Sequence, residues 1–183
     1  MFRKIIAATL VLTFALAGCG SQYRVEREGM PDELKTKMEQ QIEAGEAALA
    51  ATEDATDKII PLLDIAFAYD QLGRFDKAIP YYEQMLEIDP VSFQALNNLG
   101  VIYEEVGEYR KAAEHYGKLL NTNPSNMEVL SDTVRALMAM GHFVDAQDTL
   151  EKFTEYNQNA SEEMLTFISS QYEKIRQAIR DRN

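Results

Sequence analysis

Apolar residues along most of the chain recur at three- and four-residue spacings, the periodicity of helices that bury one face. Leu96, Leu99, Tyr103 and Val106 fall at i, i+3, i+7 and i+10, and Gly107 then ends the segment. Glycine tolerates the left-handed backbone that helix ends use, so the pattern predicts a short reversal at Gly107-Glu108. Tyr109, Ala112, Ala113, Tyr116, Leu119 and Leu120 carry a second amphipathic helix as far as Pro124, which cannot continue it. Leu34, Met38, Ile42 and Leu49 mark an earlier stripe over about 32–52. Met164, Ile168, Tyr172, Ile175 and Ile179 mark a last one.

The hairpin recurs at one fixed spacing, a period of about 34 residues. Gly73, Gly107 and Gly141 hold it, as do Ala78, Ala112 and Ala146, Phe75, Tyr109 and Phe143, and Leu62, Leu96 and Leu130. Pro90 and Pro124 add a pair whose third member is Gln158. The glycines are expected at the turns and the alanines where the two helices of a unit approach closely. Period, shape and residue types together resemble the tetratricopeptide repeat. Its pattern of a large apolar residue, Leu-Gly, Tyr, Ala, an aromatic and Pro is met by Leu96, Leu99-Gly100, Tyr103, Ala112, Tyr116 and Pro124. Leu62, Ile65-Ala66, Tyr69, Ala78, Tyr82 and Pro90 follow it less closely, and the third unit departs from it at Thr133-Val134. The resemblance implies an all-α, right-handed α-solenoid of about three helix-turn-helix repeats, 59–92, 93–126 and a degenerate 127–160, with N- and C-terminal capping helices.

A solenoid must cover its apolar ends. Residues 161–183 read as the C-terminal cap, with Ser161 at the N-cap and Glu162 and Glu163 at the positive end of the helix dipole. Lys174, Arg176, Arg180 and Arg182 gather at its negative end, where cations stabilise a helix. Residues 31–58 read either as a lone capping helix or as half of an eroded repeat.

The N-terminus carries a different signal. Arg3 and Lys4 precede thirteen uncharged residues, Ile5 to Ala17. As a helix these reach about 20 Å, short of the roughly 30 Å hydrocarbon core, so the run reads as a secretory leader over 1–18. Leu16-Ala17-Gly18-Cys19 resembles the lipobox of bacterial lipoproteins, which implies acylation of Cys19 and a lipidated tether over 19–30. Gly20 is not Asp, which implies an outer-membrane anchor facing the periplasm, or the outer face of the plasma membrane in a Gram-positive host.

Composition narrows the chemistry. Eighteen Lys+Arg against 30 Asp+Glu give a net charge of -12, and loss of residues 1–18 removes Arg3, Lys4 and no acid, leaving -14. Such a surface repels a phosphate backbone, so no nucleic acid is expected. One cysteine and two histidines make neither an internal disulfide nor a multi-histidine metal site, so no metal and no cofactor are expected. His115 and His142 are expected at the solvated surface, no nucleophile motif accompanies either, and the chain does not read as an enzyme.

In the family that the repeats resemble, the first helix of each repeat lines a concave, ligand-holding surface. Register then places Leu63, Phe67 and Asp70 from the first unit there, Asn97, Val101, Glu104 and Glu105 from the second, and Arg135 from the third. The basic clamp that chaperone-binding members use for a terminal carboxylate is missing apart from Asn97 and Arg135. The expected partner is an envelope protein or peptide, apolar and basic, with the membrane reached through the N-terminal lipid. End-to-end homo-oligomers are the alternative, and catalysis on cell-wall material is a distant third.

Overall fold

A computed structural model describes residues 29–182; the leader, Cys19 and the tether as far as residue 28 lie outside the described residues. Eight α-helices run through them: α1 (Asp32–Ala51), α2 (Ile59–Gln71), α3 (Phe75–Ile88), α4 (Phe93–Glu105), α5 (Tyr109–Thr122), α6 (Met127–Ala139), α7 (Phe143–Tyr156) and α8 (Glu162–Arg182). A short 3-10 turn, Thr56–Lys58, leads into α2.

The recurring glycines fix the hairpins. Gly73, Gly107 and Gly141 adopt φ of +67°, +79° and +76°, which side chains strain to reach. At the middle turn the Glu108 amide donates to the Tyr103 carbonyl at 2.7 Å and the Gly107 amide to the Glu104 carbonyl at 3.0 Å. This closes α4 with two of its orphan carbonyls satisfied, and the same pair of bonds recurs at the other two turns. The folded chain therefore reverses direction at a fixed point three times, pairing α2 with α3, α4 with α5 and α6 with α7.

Within each hairpin the helices meet on small residues. Ala78, Ala112 and Ala146 are fully buried. Gly100 lets the Tyr116 ring lie against α4, because a Cβ there would stand 2.8 Å from Tyr116 Cδ1 and Cζ and closer still to Cε1. The equivalent positions in the neighbouring repeats hold Ala66 with Tyr82 and Val134 with Leu150, so the bulk lost from one helix is added to the other. One apolar cluster runs through α2 to α5 and reaches Val129 and Ala136 of α6. A second joins α6, α7 and α8, and a third joins α1 to α2 through Met38, Ile42, Ile65 and Ala68.

The first helices line up from hairpin to hairpin: α2 meets α4, Arg135 of α6 pairs with Glu104 of α4, and α6 meets α8. This row of α2, α4 and α6 is the inner face.

Both ends are covered. Arg74 pairs with Glu39 at 3.3 Å and the Tyr81 hydroxyl donates to Glu46 at 3.5 Å, two long-range links that set α1 alongside α3. Helix α1 packs on the front of α2. Gly45 allows the approach, since a Cβ would stand 2.6 Å from Ile65 Cγ1. At the other end the Met164 amide donates to Ser161 Oγ at 3.2 Å, starting α8, whose Ile168 and Ile175 are buried on α6 and α7. The C-terminal cations are used locally: Arg176 pairs with Glu173 at 2.8 Å, Arg180 donates to Gln177, and Arg182 stacks 5.2 Å from the Phe143 ring.

Candidate functional site on the inner face

Three helices of thirteen residues each, α2, α4 and α6, present equivalent positions side by side on the inner face. Phe67, Val101 and Arg135 form one row, Leu63, Asn97 and Ser131 a second, and Asp70, Glu104 and Met138 a third, each row advancing by one repeat per step. Phe67 and Val101 are 42% and 43% exposed, and Ile60, earlier on α2, is 70% exposed. Phe67 and Val101 are large apolar side chains left in water at repeat-equivalent positions, the kind of surface that marks an interaction site. Leu63 is half-buried and leans on the core beneath it.

The character of the face changes along the stack. Glu104 and Arg135, expected separately as binding residues, are brought together: Arg135 Nε and Nη2 donate to the two carboxylate oxygens of Glu104, the second at 2.8 Å. Arg135 Nη2 also lies 2.8 Å from Asp132 Oδ1, and the Tyr116 hydroxyl donates to Glu104 Oε2 at 3.2 Å. One guanidinium thus serves two carboxylates, and the hydrogen bond to Glu104 holds its proton tighter than usual. Burial pushes the Asp132 carboxyl up, Arg135 draws it back, and Glu104 and Glu128 push it up again. The Tyr116 hydroxyl is raised by burial and then by Glu104 and Asp132.

Asn97 and Glu105 are half-buried on α4, and Asp70 lies close enough to Tyr82 to add to the burial that raises its phenol. The Tyr82 hydroxyl accepts from Asn98 Nδ2 at 3.0 Å, tying the first hairpin to the second. Register does not point to Asp132, Asn98 or Tyr116. Asn98 and Asp132 lie one residue away from groove positions read from the repeat, and Tyr116 belongs to a second helix, so a count along first helices passes over all three.

The expectation of solvated histidines holds for one of the two. His142 is exposed and 3.0 Å from Asp145. His115 instead stacks on Tyr103, ring centroids 5.5 Å apart, with its Nδ1 buried and without a hydrogen-bond partner. Burial above all, then Lys118, lowers it to about 4 despite Glu114. The repeat carries the signal for this: one period earlier the same two positions hold Tyr69 and Tyr81, stacked at 5.9 Å. Among the described residues no group of three or more His, Cys, Asp or Glu side chains is placed to hold a metal ion, and no helix is long and apolar enough to cross a membrane.

Comparison with known proteins agrees with the architecture. Three tetratricopeptide-repeat family models match residues 61–90, 81–114 and 103–168, together more than half of the chain. The chain belongs to the tetratricopeptide-repeat family. It is 38% identical over 76 residues to the photosystem I assembly protein Ycf3 of Cyanophora paradoxa, covering 42% of this chain and 44% of that one. It is 34% identical over 80 residues to Ycf3 of Acaryochloris marina, covering 44% and 48%. The match therefore spans less than half the length of these curated relatives. Among solved structures, a tetratricopeptide repeat protein from Parabacteroides merdae superimposes with a TM-score of 0.60 at 22% identity, over 79% of this chain and 59% of that one. MamA does so with a TM-score of 0.58 at 18% identity, over 81% and 80%. At these identities the structures share the fold.

Proposed function

We propose that this protein is a membrane-anchored adaptor of the bacterial envelope, which holds a partner polypeptide on the inner face of α2, α4 and α6. The observation that carries the reading is the exposure of Ile60, Phe67 and Val101 on first helices, the row that lines the concave surface of such repeats. The partial relatives named for assembling a photosystem lend support to a scaffolding role without chemistry of its own. The anchor rests on the lipobox at Cys19. Two acyl chains or more suffice to hold a protein on a bilayer where one does not.

Affinity capture from detergent-solubilised envelope tests the reading, with wild type compared against Phe67→Glu. A partner that is retained by wild type and lost by the variant is expected; identical captured sets would overturn it. Cys19→Ser tests the anchor: the variant should leave the membrane fraction, and its retention there would remove the lipid from the account.

A further inference from the structure

The inner face is polarised along the solenoid, and its polarity specifies the ligand. At the first hairpin it offers Ile60 and Phe67, joined by Val101 of the second; at the third it offers Glu128, which is exposed, and Asp132, which is half-buried. Position by position, Ile60 gives way to Gln94 and then Glu128 across three repeats. The acidic end is short of cations. Arg135 donates to Glu104 through Nε and Nη2, and Nη2 also lies 2.8 Å from Asp132, so one guanidinium serves two carboxylates beside Glu128 and negative charge is in surplus there. An anionic ligand, including a chain-terminal carboxylate, would meet that surplus.

We infer that the site takes an amphipathic helix of a partner protein whose apolar residues seat on Ile60, Phe67 and Val101 and whose Lys or Arg side chains reach Asp132 and Glu128. This rests on the adaptor reading above and adds the partner's chemistry and register. Packed helices stand about 8–10 Å apart, so Phe67 and Val101 are matched by residues about six or seven apart on a helix rising about 1.5 Å per residue. Two such steps put the cation about 11–14 residues from the first apolar anchor. Charge complementarity then fixes which end of the partner lies over which repeat.

The probe is a labelled, acetylated and amidated Ala/Gln helix of about 20 residues, long enough to cross three repeats, with Leu at positions 3, 7 and 10 and Lys at 14 and 17. A twin carries Glu in place of Lys. Binding is read by fluorescence anisotropy at several salt concentrations, on the full chain in detergent. The Lys peptide is expected to bind at least tenfold more tightly than the Glu peptide. Phe67→Ser should weaken it at least tenfold, and Glu128→Gln with Asp132→Asn should weaken it three- to tenfold and flatten its salt dependence. Glu83→Gln with Glu87→Gln, on the outer helix α3, should change nothing.

No binding of the Lys peptide, equal binding of the two peptides, or an equal effect of the inner and outer acid pairs would overturn the inference. So would tenfold tighter binding once residues 20–28 are removed, which would make the chain's own Tyr23-Arg24-Val25-Glu26-Arg27 the occupant. Loss of binding with a doubling of mass at higher protein concentration would make it a second copy. Envelope capture with Phe67→Glu still judges the adaptor reading by itself, since a partner of the opposite charge would fail here and pass there.

Discussion

Two glycines inside helices, Gly100 of α4 and Gly117 of α5, give the packing argument its sharpest test. Replacing either by alanine removes the same backbone cost, so each substitution alone should stabilise its helix by about 1 kcal/mol. The surroundings differ. A Cβ at Gly117 meets nothing within 4 Å, whereas one at Gly100 stands 2.8 Å from two carbons of the fully buried Tyr116 ring. That ring has no free volume to move into, and overpacking a close-packed core costs about 1–3 kcal/mol. Displacing it also breaks the hydrogen bond from its hydroxyl to Glu104, about 1 kcal/mol more. Gly117→Ala should therefore raise the unfolding temperature by about 2–4 °C, and Gly100→Ala should lower it by a similar amount or more. Calorimetry, or urea unfolding followed by far-UV circular dichroism, measures both. If Gly100→Ala stabilises as much as Gly117→Ala, the close seating of Tyr116 on α4 is wrong.

Three further outcomes follow from the same structure. Ala112→Leu, at a fully buried hairpin contact, should cost about 1–3 kcal/mol in urea unfolding, and a neutral result would mean the helices are not in contact there. A double-mutant cycle on Glu104 and Arg135 should give a coupling of about 1 kcal/mol, the pair being partly buried, with a value near zero disposing of the link between α4 and α6. His115 is lowered to about 4 from an ordinary 6.5, so between those values the unfolded chain binds a proton that the folded one does not, and stability falls as pH falls through that window. A ring wholly cut off from water would lose about 3 kcal/mol; partial solvent access reduces this to about 1–2 kcal/mol. Unfolding at pH 7 and pH 4.5 should show that much less acid sensitivity in His115→Gln than in wild type, and parallel curves would count against a buried neutral imidazole.

Features that depend on backbone geometry are legible in the chain. A glycine at 73, 107 and 141 is readable as a turn because φ near +70° is closed to most side chains, and the structure puts each there. An alanine at 78, 112 and 146 is readable as a contact because nothing larger fits between close helices. Features that depend on pairing between repeats are not legible. Glu104 and Arg135 sit on different hairpins, and no local periodicity ties a carboxylate on one first helix to a guanidinium on the next. His115 is misread as solvated because a single helix count ignores its stacking partner, although aligning it with Tyr81 exposes the pairing. The position of α1 is ambiguous for a similar reason: its stripe fits any cap, and the cross-links of Glu39 to Arg74 and Glu46 to Tyr81 are not legible in it.

The pairing of Arg135 changes what the inner face can recognise. Read from the register alone, Arg135 is the one basic side chain among the groove positions. In the folded protein its Nε and Nη2 face Glu104 and Asp132, so a ligand carboxylate that took those donors would have to break a charge-assisted, bidentate bond, and one that approached Nη1 would face the same carboxylates. Exchanging one partly buried ion pair for another leaves the displaced carboxylate desolvated and unpaired, which costs more than the new contact returns. A ligand cation faces no such exchange, since it adds a second positive charge where one guanidinium now serves two carboxylates beside Glu128. The same residue therefore links α6 to α4 and leaves the carboxylates around it in excess, a surface suited to basic side chains.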